Sequence, residues 1–141
     1  MCPSFCERTR EVLIGACKDL GLAVHGEGTM VTVEGPRFSS LAESRAFRSW
    51  GCDVINMTTV PEVVLAAEAG ISYASVAMVT DYDCWRDPGK AVNVAAVLEV
   101  MKNNVGNVKS VVVRAVEMLA KMPWRETVEA NEAKAKGSVL H

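Results

Sequence analysis

The fold class is indicated by one continuous stretch, residues 53–79: DVINMTTVPEVVLAAEAGISYASVAMV. Asp53–Met57 is a short apolar run typical of a buried strand, and Ile71–Val79 is a longer run of small and apolar residues that predicts a strand covered on both faces. Between them, Thr59-Val60-Pro61-Glu62 has the spacing of a helix start, with proline in the first turn where its missing N–H is harmless. Gly70 is placed to end that helix. Strand, helix and strand in this order predict an α/β fold with parallel pairing.

The residues before this stretch predict two helices separated by a β-hairpin. Ser4-Phe5-Cys6-Glu7 has the spacing of a capping box, in which a serine and a glutamate satisfy unpaired backbone donors, and Gly21 is placed to end the helix that follows. Leu22–His25 and Thr29–Val33 are short strand-like segments around a glycine-containing turn. A second capping pattern, Ser40-Leu41-Ala42-Glu43, predicts the start of the second helix.

The residues after residue 79 predict one long helix and a tail. The helix runs from about Asn93 to Lys121 and is stopped by Pro123. The sequence after Trp124, rich in alanine, glutamate and lysine, predicts a loosely helical or disordered tail. Strands that are apolar on both faces need neighbours, and this chain offers few. We therefore expect part of a larger sheet whose other strands are missing.

Composition excludes several classes of function. The 141 residues suit one domain, and half of them are hydrophobic. A net charge of −2 without a lysine or arginine cluster argues against nucleic-acid binding, and the apolar runs are too short to cross a membrane. The five cysteines form no Cys-x-x-Cys pair and the chain has two histidines, so we expect no metal site and unpaired thiols. The first residues lack the features of a secretory signal, and the expectation is a soluble, cytoplasmic protein.

Three polar segments are placed where a ligand could bind. Asn56-Met57-Thr58-Thr59 and Thr80-Asp81-Tyr82-Asp83 each end a predicted strand, and Glu34–Ser39 follows the predicted hairpin. In open α/β sheets, ligands bind beyond the carboxyl ends of the strands. If the two strands are neighbours, their polar ends meet in one crevice, and the sequence predicts a binding site there.

Three blocks of sequence resemble the S-methyl-5'-thioadenosine phosphorylases, a family of the purine nucleoside phosphorylase superfamily. They are Val33–Ser40 (VEGPRFSS), Val54–Glu62 (VINMTTVPE) and Thr80–Trp85 (TDYDCW), in that family's order and spacing. The first two blocks are shared with purine nucleoside phosphorylases generally, and the Asp-x-Asp pair narrows the match. The resemblance implies an α/β fold: the C-terminal part of a mixed sheet flanked by helices and ending in a long helix. It implies that residues 1–123 are the C-terminal portion of a phosphorylase domain and residues 124–141 a tail.

The two aspartates of the third block suit adenine. Adenine has a donor at its 6-amino group and an acceptor at N7, so one carboxylate can accept from the amine while a protonated carboxyl donates to N7 as the glycosidic bond breaks. We expect Asp81 to be the N7 donor and Asp83 to hold the amine, which makes both candidate catalytic residues. Without the resemblance, the same residues would more often be interpreted as a solvated loop or a weak magnesium site with Glu62.

The resemblance also implies roles for other residues. Phe38 would stack on adenine, Met57 would contact the ribose and Thr58 the phosphate, while Ser39 and Val94 are specificity positions. An apolar wall near Val94 would suit a thioether substituent. The full set of implied substrate-binding residues is Phe38, Ser39, Met57, Asp81, Tyr82, Asp83, Val94, Val97 and Leu98. Apart from the resemblance, Phe38, Val94 and Val97 read as core residues and Met57 as a filler of gaps.

The activity implied is reversible phosphorolysis of S-methyl-5'-thioadenosine to adenine and 5-methylthioribose 1-phosphate, in purine and methionine salvage. Inorganic phosphate is the co-substrate, no further cofactor is needed, and the full-length protein is expected to be a homotrimer in the cytoplasm, with the nucleus also open. The family's glycine-rich phosphate loop and its Arg-His and Thr-Ala pairs have no match in this sequence. We therefore expect a chain that is inactive alone. The alternatives are a non-catalytic or dominant-negative nucleoside-binding subunit and a purine nucleoside phosphorylase for 6-oxo purines.

Overall fold

The computed structural model describes residues 3–86 and 93–138, which form an α/β structure. These residues belong to two compact units: the described parts of Met1–Gly26, Thr59–Val76 and Lys109–His141 form the first, and those of Glu27–Thr58 and Ala77–Val108 the second. The elements in chain order are α1 (Glu7–Asp19), β1 (Met30–Thr32), α2 (Leu41–Ser49), β2 (Val54–Asn56), α3 (Thr59–Glu68), α4 (Val94–Leu119) and α5 (Arg125–Gly137).

The second unit contains a parallel β1–β2 ladder, and α2 is the crossover between the two strands. The register pairs Met30 with Val54, Val31 with Ile55, and Thr32 with Asn56. Backbone bonds extend the pairing at both ends, with Val33 N donating to Asn56 O at 2.8 Å and Asp53 N to Thr29 O at 2.8 Å. The predicted strand at residues 53–57 is therefore confirmed, but its parallel partner is β1 and not the predicted strand at residues 71–79.

The predicted hairpin is wrong. Leu22–His25 forms no strand, and β1 pairs with β2 instead of with the preceding segment. The reason lies at the end of α1, where the Leu22 N–H donates to Cys17 O at 2.9 Å and the Leu22 side chain packs against a hydrophobic core. Leu22 is thus part of the helix end and cannot join a ladder at the same time.

The predicted strand at Ile71–Val79 is also absent from the sheet that the described residues form. A strand needs a neighbour that takes up its backbone hydrogen bonds. Here Tyr73 O instead accepts from Cys6 N at 2.7 Å, and the Ser72 hydroxyl accepts from Asn131 Nδ2 at 2.9 Å. High β propensity in this segment is therefore not sufficient to make a ladder.

The predicted capping box of α2 is confirmed. Ser40 Oγ accepts from the Glu43 N–H at 3.3 Å, and Glu43 Oε2 accepts from the Ser40 N–H at 2.8 Å. Arg37 donates from both terminal nitrogens to the Glu43 carboxylate at 2.8 and 2.7 Å. The Ser40 hydroxyl also donates to Glu43 Oε2 at 2.9 Å. The arginine, the Ser40 N–H and the Ser40 hydroxyl together hold the pKa of Glu43 down at about 2, so the carboxylate stays ionised as the cap requires.

The other two predicted helix starts differ from expectation. Cys6 is the N-cap of α1, which begins at Glu7 without a side-chain cap, so Ser4 caps nothing. In α3, Val60 has φ −104° and ψ 125°, which is extended backbone, and the continuous helix begins at Pro61.

The first unit has its own core between α1 and the second half of α4. Its members are small and apolar: Val12, Ala16, Cys17, Val111 and Ala115. The tail helix α5 joins this unit, because Arg8 Nη1 donates to Thr127 Oγ1 at 3.0 Å and the Arg8 guanidinium lies 4.8 Å from the Trp124 ring centre. None of the helices in residues 3–86 and 93–138 combines the length and apolarity needed to span a bilayer.

Candidate functional site

All predicted site residues lie in the second unit. They come from the loop after β1, the end of β2, the loop before α4 and the first turns of α4: Phe38, Ser39, Met57, Thr58, Asp81, Tyr82, Asp83, Val94, Val97 and Leu98. The candidate site therefore consists of separate chain segments and the contacts that join them.

The loop that carries the two aspartates, residues 80–86, is organised by its own hydrogen bonds. Thr80 Oγ1 donates to Asp81 Oδ2 at 2.8 Å, and the Asp83 N–H donates to Asp81 Oδ1 at 2.8 Å. Asp83 has φ 58°, in the left-handed region that aspartate tolerates better than most residues. Both oxygens of the exposed Asp81 thus accept hydrogen bonds from donors within the loop. These bonds form the turn in which Asp83 adopts its left-handed backbone conformation.

Asp83 carries an unsatisfied acceptor. Its Oδ2 atom is buried and has no partner with good hydrogen-bond geometry among the residues that the structure describes, and the weak thiol donor of Cys84 lies beside the Asp83 carboxylate. A buried polar atom without a partner carries a desolvation cost, which native proteins generally offset with a bond. The arrangement at Asp83 therefore suits a donor supplied by a bound molecule.

The thiol of Cys84 lies between this loop and the segment that contains Phe38 and Ser39. Cys84 Sγ is 3.7 Å from Ser39 O, the distance of a weak S–H donor to a carbonyl. Burial raises the pKa of the Cys84 thiol, the charge of Asp83 adds to the rise, and the neighbouring Ser44 hydroxyl acts in the opposite direction. The thiol is thereby kept protonated at neutral pH, the form that can donate to Ser39 O.

Helix α2 contacts the same loop through a stacked cation. The Arg48 guanidinium lies 3.7 Å from the centre of the Trp85 ring, and the Arg86 guanidinium lies 3.9 Å from that of Tyr82. Such contacts attract a cation to the negative face of an aromatic ring. The Arg48–Trp85 contact therefore attaches the loop that contains Asp83 to α2, the helix that begins just after Ser39.

Met57, at the end of β2, packs on the loop after β1. A Cβ added to Gly35 would lie 2.9 Å from Met57 Sδ, so only glycine lets the sulfur approach this closely. Beside it, Glu34, Gly35, Pro36 and Arg37 line a shallow depression that is open to solvent. The Glu-Gly-Pro-Arg motif therefore forms the surface on which Met57, the predicted ribose contact, packs.

The first turns of α4 differ from the other segments of the candidate site in their contacts and exposure. Val94 and Leu98 are 57% and 58% exposed, and Val97 is half-buried. Within the described part of the chain, no hydrogen bond or ring contact ties Val94 or Leu98 to the loop of Asp81 and Asp83. Large apolar side chains exposed at a helix start leave room for an apolar ligand group. The alternative interpretation of Val94 as a core residue is wrong, because more than half of its surface is exposed to solvent.

Sequence reasoning gave no role to Arg48, Trp85, Cys84 or Ser44. One signal was present: Ser40, Ser44 and Arg48 are spaced by four residues, which places them on one face of α2. Nothing in the sequence indicated that this face packs on Cys84 and Trp85. In residues 3–86 and 93–138, no three acidic, thiol or imidazole groups lie close enough together to hold a metal ion, and none of the cysteines there is in a disulfide.

Comparison with known proteins identifies the family. The sequence-family model described as the phosphorylase superfamily matches residues 1–117 of the 141 residues of this chain. The chain belongs to the phosphorylase superfamily. One curated relative is the S-methyl-5'-thioadenosine phosphorylase of Aedes aegypti. It is 55% identical to this chain over 139 residues, which are 98% of this chain and 50% of the relative. The chain spans about half the length of the curated relatives it matches.

Solved structures of the superfamily share the fold. The methylthioadenosine phosphorylase from Schistosoma mansoni in complex with adenine is 41% identical and superimposes with a TM-score of 0.93, covering 98% of this chain and 54% of that one. A mutant of the adenosine/methylthioadenosine phosphorylase from Schistosoma mansoni in complex with methylthioadenosine gives a TM-score of 0.91 at 41% identity, covering 98% of this chain and 52% of that one. The predicted nucleoside phosphorylase-like α/β fold is confirmed.

Proposed function

We propose that this chain forms the adenine- and ribose-binding side of an S-methyl-5'-thioadenosine phosphorylase. The observation that carries the proposal is the buried Asp83 Oδ2, which has no partner among the described residues. The 6-amino group of adenine is a donor of the kind that this atom lacks. The similarity to S-methyl-5'-thioadenosine phosphorylases, and to structures that hold adenine or methylthioadenosine, supports the same substrate.

Base selectivity follows from the chemistry of the carboxylate. An ionised aspartate only accepts hydrogen bonds, so Asp83 pairs with a 6-amino group and repels the 6-oxo group of hypoxanthine or guanine. Phe38 stacks on the base with its exposed ring, and the Ser39 side chain acts as a specificity contact beside it. These features favour adenine over the 6-oxo purines that would define the alternative phosphorylase.

The reaction proceeds by attack of a phosphate oxygen on C1' of the ribose. The bond between C1' and N9 of adenine breaks, and its electron pair moves onto the purine. For adenine to leave in neutral form, a protonated Asp81 would give its proton to N7, and its carboxyl would first have to exchange the hydrogen bonds that it accepts from Thr80 and Asp83 in the ligand-free chain. Thr58 follows β2 with its side chain exposed and donates to phosphate, and Met57 contacts the ribose. Positioning of the phosphate dianion contributes much of the catalysis.

The 5'-methylthio group is assigned to the first turns of α4. Val94 and Leu98 expose apolar surface there, and Val97 lies on the next turn. Thioether sulfur and methyl carbon lose little by leaving water, whereas a 5'-hydroxyl would leave a polar group unpaired against these side chains. This apolar surface therefore favours methylthioadenosine over adenosine.

The rest of the phosphorylase is assigned to polypeptide outside these 141 residues. The chain is proposed to be the C-terminal half of the domain, with residues 124–141 as its tail, and to depend on an N-terminal half for most phosphate ligands. The complete protein would act as a homotrimer in the cytoplasm, and also in the nucleus, with inorganic phosphate as the only small-molecule co-reactant. By itself the chain would bind adenine without turnover.

Calorimetry with adenine tests the proposal. We expect the chain to bind adenine, and Asp83→Asn to weaken binding by about 10- to 100-fold, the loss of one charge-assisted hydrogen bond. The matched control is Glu27→Gln, which removes a charge from an exposed residue of the same unit and leaves the affinity unchanged. Adenine binding that is insensitive to Asp83→Asn, or tighter binding of hypoxanthine than of adenine, would contradict the assignment.

Turnover separates the enzyme from a binding subunit. Joined to its N-terminal half, the protein is expected to release adenine from methylthioadenosine only when phosphate is present. Release without phosphate would indicate a hydrolase. Adenine binding without turnover by the complete protein would indicate a non-catalytic subunit.

A further inference from the structure

Helix α2 connects the two segments that are assigned to adenine. At its start, the Arg37–Glu43 pair and the Ser40 cap hold the residues on both sides of Phe38 and Ser39. At its end, Arg48 is 3.7 Å from the Trp85 ring, two residues beyond Asp83. The helix therefore reaches both sides of the proposed base site with well-defined contacts.

One face of α2 makes the contacts between these ends. Ser44 lies one turn before Arg48, is only 2% exposed and is next to the Cys84 thiol, which in turn is 3.7 Å from Ser39 O. The residue pair Cys84 and Trp85 thus runs along the face of α2 that begins at Ser40.

The aspartate loop needs such external support. Asp83 adopts φ 58°, which costs energy for any residue with a Cβ, and the single bond from the Asp83 N–H to Asp81 Oδ1 is made to an exposed side chain. Strained backbone persists when surrounding contacts hold it in place. Together with the contact of Cys84 Sγ with Ser39 O, the Arg48–Trp85 stack attaches the loop to α2 and the residues before it.

We propose that Arg48 and Trp85 are positioning residues, whose stack holds residues 80–86 on α2 and thereby aims Asp83 at the base. The inference rests on the proposed adenine site, since it assigns a reason for the placement of its carboxylate. Arg48 touches no substrate and acts through Trp85 and the loop backbone. Disruption of the stack leaves the carboxylate present but incorrectly placed.

Hydrogen exchange of the ligand-free chain tests the support of the loop directly. We expect Arg48→Gln to speed exchange of the amides in residues 80–86 by about fivefold, the effect of losing one partly exposed cation–π contact, and Arg48→Lys to speed it less because the cation remains. Arg45→Gln is the matched control, since this exposed arginine lies on the same helix one turn earlier. Exchange that is unchanged in Arg48→Gln, or equally fast in both glutamine variants, overturns the proposal.

Adenine calorimetry tests whether the support serves the base. Arg48→Gln is expected to weaken adenine about fivefold, with Arg48→Lys between it and the native chain. In an Asp83→Asn background the same change should have no further effect, because the group being positioned has lost its charge. An equal loss in both backgrounds means that Arg48 only stabilises the fold and overturns the positioning role. If the native chain binds no adenine, the proposed function fails, and the exchange data still decide whether the stack supports the loop.

Discussion

Replacement of Gly35 by alanine should destabilise the second unit through one side chain, Met57. The new Cβ would lie 2.9 Å from Met57 Sδ and 3.6 Å from its Cγ, whereas atoms of this size prefer about 3.5–4.0 Å. The sulfur or the loop must therefore shift by about 1 Å. Overpacking of this kind costs about 1–3 kcal/mol, and the flexible methionine brings the expected cost to about 1–2 kcal/mol.

Thermal unfolding followed by circular dichroism measures this cost. For a chain of 141 residues, about 1–2 kcal/mol corresponds to a decrease in Tm of about 3–7 °C. Gly106→Ala is the control, because a Cβ there meets nothing within 4 Å, and alanine inside a helix should stabilise by about 0.5–1 kcal/mol.

A double-mutant cycle decides whether Met57 is the cause. With Met57→Ala already in place, Gly35→Ala should cost about 1 kcal/mol less than it does in the native chain, because the clashing sulfur is gone. Native stability of Gly35→Ala, or the same loss with and without the Met57 side chain, would refute the reasoning. The approach of Met57 Sδ would then not be the reason that position 35 requires glycine.

Three further predictions concern helix ends, core and charge. Ser40→Ala should cost about 1 kcal/mol of unfolding free energy by removing the α2 cap, while Ser4→Ala, which removes no cap, should leave denaturant midpoints unchanged. Val111→Ala should cost about 2 kcal/mol because Val111 is 2% exposed, whereas Val113→Ala at 61% exposure should stay within about 0.5 kcal/mol. The lowered pKa of Glu43, about 2 against an ordinary 4.5, contributes stability that is complete above about pH 4.5 and is lost as pH falls through about 2. Glu43→Gln should therefore lower Tm at pH 5 and reduce the difference in Tm between pH 5 and pH 2.

The parts of the fold that the sequence predicted are those governed by near neighbours. The Ser40 capping box needs only residues three apart, and the strand at residues 54–56 is marked by its apolar run, so both appear where expected. The errors share one cause. Leu22–His25 and Ile71–Val79 have strand-like composition, but a strand exists only where another chain segment takes up its hydrogen bonds, and composition does not reveal that partner.

The amino-acid sequence by itself determined the α/β class and the start of α2, since these depend on local spacing and residue type, and it predicted the roles of Asp81 and Asp83. Only the tertiary structure decided that β1 pairs with β2, that one oxygen of Asp83 is buried without a partner in the described residues, and that Arg48 stacks on Trp85. Those features join segments far apart in the chain. Their geometry follows from packing and hydrogen-bond competition among many residues, which no single stretch of sequence contains.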